Sequence, residues 1–168
     1  VLLGPEMKST GEVMGIDKDF GLAYAKSQIA SQNSLPTKGL AFISLKDRHK
    51  NEGVDLAKQL VKLGFTLCGT EGTANRIIKN GIKCKKINKV SGGSPHIIDV
   101  LNAKKIALVI NTGGGKRAHR IQDSTSLRRS TLINKVPYCT NMSTAYACLE
   151  AIKSLKTKKI EVKSLQEI

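Results

Sequence analysis

From residue 39 onward, short apolar runs alternate with stretches whose apolar residues recur every three or four positions. The runs predict buried strands and the spaced stretches predict amphipathic helices. The predicted strands cover residues 40–44, 65–68, 82–87, 106–110 and 136–139. Because strands that alternate with helices are typical of a parallel sheet covered by helices, we expect an α/β domain with an open, parallel five-stranded sheet and helices on both faces.

The helices predicted between these strands each present one apolar face. Ser94 and Pro95 predict the start of the third of them, as cap and first-turn residue. The fourth is predicted over residues 123–134, and Pro137 places the last strand at an edge of the sheet. The apolar faces consist of Val54, Ala57, Leu60, Val61 and Gly64; Ala74, Ile77 and Ile78; Ile97, Ile98 and Leu101; Leu127, Leu132 and Ile133; and Ala145, Cys148, Leu149, Ile152 and Leu155.

Residues 1–36 differ from the rest of the chain. They begin with a glycine-rich stretch without a clear period, followed by a predicted helix over about residues 20–29 with Leu22, Ala23, Lys26 and Ile29 on one face. A polar linker then ends at Pro36. The segment is too short for a core of its own, so it either packs on an upstream part of a longer protein or lies along the main domain, residues 37–168. The first residue, Val1, favours a chain that starts inside a longer protein.

The fourth predicted strand ends abruptly in Asn111, Thr112 and three glycines, followed by Lys116 and Arg117. Glycines let the backbone approach a ligand closely and present its N–H groups. Two adjacent cations favour an anion, above all a phosphate. The alternative is a flexible glycine turn with solvated cations.

Parallel strands place all their carboxyl ends along one edge. That edge would hold residues 44–50, 69–73, 89–94, 111–117 and 140–143. Thr70 and Thr73, beside a helix start, together with Lys50 and Lys89, supply the groups that bind phosphate. As an alternative, the threonines only cap the helix and the lysines are solvated.

Charge and cysteine content narrow the choice of partners. The excess of 28 Lys and Arg over 13 Asp and Glu favours an anionic partner, but scattered cations and few aromatic residues argue against specific nucleic-acid binding. No apolar run is long enough to cross a membrane. Without a Cys-x-x-Cys pair a zinc site is not expected, and Cys68, Cys84, Cys139 and Cys148 are predicted to be buried, reduced thiols of a cytosolic protein.

Catalytic chemistry has little support in the sequence. The candidate acids and bases are Asp99, His96, His119 and Asp123. They form no carboxylate pair, nucleophile triad or metal cluster. The pattern therefore favours a binding domain without catalytic residues.

Two sets of residues resemble a known family. The run from Leu3 to Gly15 resembles the end of the second ATP-grasp half of the carbamoyl-phosphate synthase large subunit. The remainder resembles the C-terminal allosteric domain of that subunit, which has a methylglyoxal-synthase-like, Rossmann-like three-layer fold. The residues that carry this second resemblance are Thr70-x-x-Thr73, Asn88-Lys89-Val90, Pro95-His96-Ile97-x-Asp99, Ile110-Asn111-Thr112, Asp123-Ser124 and Arg128-Arg129-Ser130.

The resemblance implies a cytoplasmic parent enzyme that makes carbamoyl phosphate from bicarbonate, glutamine-derived ammonia and ATP, with Mg or Mn, for pyrimidine and arginine synthesis. This chain would hold no cofactor, metal or active site, and would instead bind the effectors UMP and IMP. Its partners would be the rest of the large subunit and the glutaminase small subunit, with an oligomer possible. Thr140 matches a threonine associated with ornithine. The effector site would consist of Lys50, Thr70, Thr73, Lys89, Asn111, Thr112, Gly113, Lys116 and Arg117.

The sequence departs from this family at the glycine loop. The family pattern is Asn-Thr-Thr-Ser-Gly-Arg-Arg, whereas here Gly113 and Gly114 replace Thr and Ser, Lys116 replaces the first Arg, and about two extra residues fall within residues 118–122. Methylglyoxal synthases carry a catalytic Asp in a Gly-Asp-Gln motif, but residues 91–95 contain no acid. The missing acid argues against a phosphate-eliminating lyase, which is the alternative function and rests on fold analogy alone.

Overall fold

A computed structural model describes residues 13–89, 92–94, 96–113, 118–162 and 166. The chain alternates between strands and helices as the hydrophobic pattern predicts. The strands are β1 (Gly39–Ser44), β2 (Phe65–Gly69), β3 (Lys85–Lys86), β4 (Ile106–Asn111) and β5 (Tyr138–Cys139). Six described helices accompany them: α1 (Phe20–Ala30), α2 (Lys50–Lys62), α3 (Glu71–Lys79), α4 (Ile97–Asn102), α5 (Ala118–Ile133) and α6 (Met142–Thr157).

The five strands form one parallel sheet in the order β3-β2-β1-β4-β5. The predicted open parallel sheet is therefore confirmed, as is the edge position of β5. Because the chain runs outward from β1 in one direction to β3 and then crosses to β4, the strand order reverses between β1 and β4. Ligands of open α/β sheets bind at such a reversal, outside the carboxyl ends of the strands.

Alternating side chains of the central strands enter two separate hydrophobic cores. On one face, Ala41 and Ile43 of β1 join the cluster that contains Leu56 and Leu149 from α2 and α6. On the other face, Phe42 joins Leu101 and Leu127 from α4 and α5. Helices thus cover both faces, as predicted, since each side of a buried parallel sheet must be shielded from water.

Strand β3 is shorter than the predicted strand over residues 82–87. Lys85 and Lys86 pair with β2, and the Ile87 N–H donates to the Gly69 carbonyl at 2.9 Å. The N–H of Ile82 donates instead to the carbonyl of Ile77 at the end of α3. Residues 82–84 therefore leave the helix without joining the sheet, although their alternation of apolar and polar side chains is typical of a strand.

Two helix starts also differ from the prediction. Helix α5 begins at Ala118, five residues before the predicted start at Asp123. The cap of α4 is His96 and not Ser94, because the Asp99 carboxylate accepts a hydrogen bond from the His96 N–H at 2.8 Å. This bond, followed by the one from the Ser94 hydroxyl, lowers the pKa of Asp99.

The segment before β1 lies along the main domain, with α1 packed on α6. Its buried face consists of Gly21, Leu22 and Ala25, whereas the predicted face member Ile29 is exposed. A glycine at position 21 is required because a Cβ there would lie 2.6 Å from the Glu150 carbonyl oxygen. For residues 13–36, which the structure describes, the second of the two predicted arrangements holds, and the domain boundary at residue 36 stays a prediction.

Three of the four cysteines are buried, but Cys84 is only half-buried, contrary to the prediction. Cys139 and Cys148 lie together with their sulfur atoms 3.4 Å apart. None of the helices in the described part of the chain combines the length and apolarity needed to span a membrane. The described residues also contain no group of three or more His, Cys, Asp or Glu placed to hold a metal ion.

Candidate anion-binding site at the strand ends

A cavity of about 340 Å³ opens at the carboxyl ends of β1, β2 and β4. It lies where the strand order reverses, so the topology that the sequence predicted also fixes the place of the site. Six of the nine predicted effector-site residues line it: Lys50, Thr70, Thr73, Lys89, Asn111 and Gly113. The segments that follow β1, β2, β3 and β4 thus meet around one cavity.

A cluster of hydroxyl groups forms one wall of the cavity. The Oγ1 atom of Thr73 accepts a hydrogen bond from the Leu45 N–H at 3.0 Å. The Thr70 hydroxyl lies 3.3 Å from Ser44 Oγ and 3.4 Å from Thr73 Oγ1. Both threonines are buried. Thr73 therefore fastens α3 to the end of β1, while Thr70 belongs to a hydroxyl network that a ligand oxygen can join.

Thr70 does not cap α3 with its side chain, although it occupies the N-cap position. Its extended backbone (φ −62°, ψ 149°) ends β2 and starts the helix, and its hydroxyl is directed to Ser44 instead. The capping alternative raised by the sequence is therefore wrong for Thr70. The start of α3 is left with the partial positive charge that favours an anion.

Lys50 brings a cation to the start of α3. Its Nζ atom lies 2.9 Å from the position that a Cβ on Gly72 would occupy. The same atom forms an ion pair with Asp47 Oδ1 at 2.6 Å. Glycine at position 72 thus makes room for the lysine ammonium beside the first helical turn.

Asn111 holds the loop after β4. Its Nδ2 donates to the Tyr138 hydroxyl at 2.8 Å, and its Oδ1 accepts from the Gly113 N–H at 2.9 Å. A Cβ on Gly113 would lie only 2.6 Å from that Oδ1 atom. The glycine that departs from the family pattern therefore permits a tight turn around the Asn111 side chain.

Thr112 is not among the described residues that line the cavity, and its place in the effector site, which the family resemblance implies, stays a prediction. Its Oγ1 accepts from the Lys46 N–H at 3.1 Å and lies 3.1 Å from His49 Nδ1. Because Arg48 Nε donates to the other ring nitrogen of His49, Nδ1 carries the proton when the ring is neutral and donates to Thr112. Through these two hydrogen bonds Thr112 fixes the loop that carries Lys46 and Lys50, both of which line the cavity.

Apolar side chains form the floor, a feature that the sequence reasoning did not assign to the site. Phe42, Ile97 and Leu127 line the cavity from β1, α4 and α5. Their apolar spacing had marked them only as core. Asp123 and Ser124, which the sequence offered as a catalytic candidate and a family marker, line the α5 side.

The remaining predicted site residues are not among the described residues that line the cavity. Thr140 follows β5 and is exposed. It is not one of the described residues that line the cavity. Lys116 and Arg117 lie outside the described residues. Of the described charged residues lining the cavity, Lys46, Lys50 and Lys89 outnumber Asp47 and Asp123.

Together, fold and site define a three-layer α/β domain with a polar, cation-rimmed cavity at the reversal point of a parallel sheet. Comparison with known proteins agrees with this class. The family model described as "MGS-like domain" matches residues 52–140, more than half of the chain. The chain therefore belongs to the MGS-like domain family.

Relatives extend this assignment over nearly the whole chain. It is 49% identical to the "Carbamoyl phosphate synthase large chain, C-terminal section" of Aquifex aeolicus and 47% identical to that of Methanopyrus kandleri, in each case over 99% of this chain. It is 48% identical to the "Carbamoyl phosphate synthase large chain" of Mesorhizobium japonicum, again over 99% of this chain. The chain spans 32%, 31% and 14% of these relatives. The resemblance found in the sequence is confirmed.

A solved structure supports the fold. Methylglyoxal synthase from Elizabethkingia anophelis superimposes with a TM-score of 0.53, covering 68% of this chain and 79% of that one. The sequence identity is 19%, so the likeness concerns the architecture alone.

Proposed function

We propose that this chain is the regulatory domain of a carbamoyl-phosphate synthase large subunit and that its cavity binds the phosphate of a nucleotide effector such as UMP or IMP. The effector would modulate carbamoyl phosphate synthesis from glutamine, bicarbonate and ATP elsewhere in the parent enzyme. One observation carries the proposal: Lys50, Lys89 and the start of α3 meet around one cavity. A phosphate needs cations, N–H groups and hydroxyls in that arrangement.

The two halves of a nucleotide have complementary surfaces in the cavity. The phosphate fits the start of α3, between Lys50 and the Thr70 hydroxyl. The ribose and base fit the side bounded by the apolar floor and by Asp123 and Ser124 of α5. Ligand sites of this kind join an apolar surface to a few polar groups that orient the ligand.

Regulation requires that the effector bind one state of the parent enzyme more tightly than another. The hydrogen bond from Asn111 to Tyr138 joins the cavity to β5, whose next residues are Thr140 and the cap of α6. Through this connection an effector could bias how the domain packs on its partners, with a coupling free energy of about 1–3 kcal/mol. Those partners are the rest of the large subunit and the glutaminase small subunit.

Ornithine would act at Thr140, on the interface side. We infer that ATP and its Mg or Mn bind in the synthetase portion of the cytoplasmic parent enzyme. No described residue of this chain is assigned to ATP or to the metal. Pyrimidine and arginine synthesis would be the pathways served.

Isothermal titration calorimetry tests the proposal directly. UMP and IMP should release heat on binding, whereas uridine, which lacks the phosphate, should bind at least tenfold more weakly. Lys50→Gln should weaken UMP binding roughly 10–100-fold, the usual effect of losing a charge-assisted hydrogen bond. Lys79→Gln, at the far end of α3, is the matched control and should change the affinity less than twofold.

Two outcomes would contradict the proposal. The first is equal binding of UMP and uridine, or no heat at millimolar nucleotide. The second is release of inorganic phosphate from dihydroxyacetone phosphate by the wild-type chain, which would instead support the phosphate-eliminating lyase.

A further inference from the structure

The cation at the centre of the proposed phosphate site is already paired with an anion of the protein itself. Lys50 Nζ lies 2.6 Å from Asp47 Oδ1. Both side chains line the cavity. The pair spans one turn of chain, from the short 3-10 helix at Asp47–His49 to the first residue of α2.

The two partners differ strongly in exposure. The Asp47 side chain is 95% exposed, whereas that of Lys50 is 24% exposed. The ammonium lies beside Gly72, at the first turn of α3, where no Cβ occupies the space. The carboxylate is at the solvent side, where rehydration after it leaves the ammonium costs little.

A ligand anion and Asp47 therefore compete for the same ammonium. An anion that docks at the start of α3 meets Lys50 at the position where the carboxylate now binds it. Exchange of a carboxylate for a ligand group of one negative charge leaves the electrostatic balance almost unchanged. A phosphomonoester, which carries a charge of about −1.5 to −2 at neutral pH, gains more from the exchange.

We propose that Asp47 is an affinity-determining residue of the site: its carboxylate acts as an internal competitor for Lys50 and lowers the affinity for any anion that has to displace it. This inference rests on the proposed function. It predicts that removal of the Asp47 carboxylate strengthens the binding of singly and doubly charged anions alike.

The test uses inorganic phosphate and dimethyl phosphate, which carries a single negative charge and has no hydroxyl group that Asp47 could hydrogen-bond. Dissociation constants are measured at pH 8 for wild type, Asp47→Asn, Lys50→Gln and the double variant. Asp55→Asn is the matched control, because it removes the same charge from an exposed position on α2, where Asp55 accepts from Gln59. Thermal unfolding verifies that each variant is folded.

Asp47→Asn should lower both dissociation constants, roughly three- to tenfold, as expected for a partly exposed ion pair. The factor for phosphate should be at least as large as that for dimethyl phosphate, because the rim carboxylate repels the more highly charged ligand more strongly. Asp55→Asn should change them less than twofold. The gain should disappear in the double variant, since the competition acts through Lys50.

The outcomes separate this inference from the proposed function. If wild type binds phosphate and Asp47→Asn binds it no more tightly, Asp47 is not a competitor and only the inference fails. If the gain persists in the double variant, Asp47 acts through general charge and the inference fails in the same way. If neither wild type nor Asp47→Asn binds phosphate, and wild type also binds no UMP at about 10 mM, roughly tenfold above a millimolar dissociation constant, the proposed function fails as well.

Discussion

The side-chain oxygen of Thr73 accepts a hydrogen bond from the backbone N–H of Leu45, at 3.0 Å, in the interior of the protein. These two residues are 28 positions apart in the sequence and belong to the start of α3 and the end of β1. Leu45 is buried, so its N–H has to find a partner within the protein. The bond therefore fixes the wall of the cavity.

Thr73→Val should destabilise the fold, because it leaves the buried Leu45 N–H without its acceptor. We expect a loss of about 1–3 kcal/mol in the free energy of unfolding, measured by urea denaturation. Thr70→Val is the matched control: the hydrogen bonds of its hydroxyl within the described part of the chain are to other hydroxyls, at 3.3 and 3.4 Å, and the expected loss is below about 1 kcal/mol. Equal losses for the two variants would show that the hydrogen bond between Thr73 and Leu45 contributes no more to stability than the hydroxyl contacts of Thr70.

Gly72→Ala should weaken phosphate binding without destabilising the fold. The added Cβ would lie 2.9 Å from Lys50 Nζ and 3.8 Å from its Cε, so the flexible end of the lysine must move. Alanine is favoured over glycine in a helix by up to about 1 kcal/mol, so the free energy of unfolding should be unchanged or slightly higher. Phosphate binding should weaken, because the ammonium no longer lies at the start of α3.

Gly69→Ala provides the contrast for that experiment. There the added Cβ would lie 2.5 Å from the backbone oxygen of Ile43 in the neighbouring strand. Backbone cannot move aside as a lysine can, so this variant should lose stability by roughly 1–3 kcal/mol. If Gly72→Ala loses as much, the Lys50 ammonium is held more rigidly than its flexible stem implies.

Alkylation of the native protein should label Cys84 before the other three cysteines. Cys84 is half-buried, whereas Cys68, Cys139 and Cys148 are at most 3% exposed. Burial raises the pKa of Cys84 to about 11, so the thiolate fraction and the labelling rate should rise about tenfold per pH unit between pH 7 and 10. Iodoacetamide labelling followed by peptide mass spectrometry measures this rate.

Cys84→Ser should abolish the first labelling step and leave the unfolding midpoint nearly unchanged. Labelling of Cys139 or Cys148 ahead of Cys84 would contradict the observed burial.

The contact between α1 and α6 should weaken in acid. Hydrogen bonds from Lys158, then Ser154 and the Leu22 N–H, lower the pKa of Asp19 far below its usual value of 3.8. Because the folded-state pKa is depressed, the stabilisation is fully present above the unfolded-state pKa and is lost as the pH falls below 3.8 toward the folded-state value.

Asp19→Asn should therefore unfold at lower denaturant concentration than wild type at pH 7, and the difference should shrink at pH 3. Denaturation at the two pH values measures this. Asp55→Asn serves as the control for general charge effects. A difference that stays constant with pH would mean that the Asp19 contact does not depend on its charge.

Much of the fold could be predicted from the pattern of apolar and polar residues along the chain. The alternation of apolar runs with amphipathic stretches determined the five parallel strands and both helical layers, since burial on two faces demands that pattern. Thr70, Thr73, Lys50 and Lys89 could be placed at one edge because parallel strands end together. The sequence alone therefore predicted the edge of the sheet at which the cavity lies.

Other features depend on contacts that the pattern of apolar and polar residues does not reveal. Residues 82–84 have strand character, but the bond from Ile82 to Ile77 keeps them out of the sheet. Thr112 lies next to Asn111 in the sequence, yet its hydroxyl faces the Lys46 loop while Asn111 lines the cavity. Only the packing of elements decides which side chain a ligand meets, because neighbouring residues at a strand end project to opposite sides. The pairing of Lys50 with Asp47 and its position over Gly72 belong to this second group.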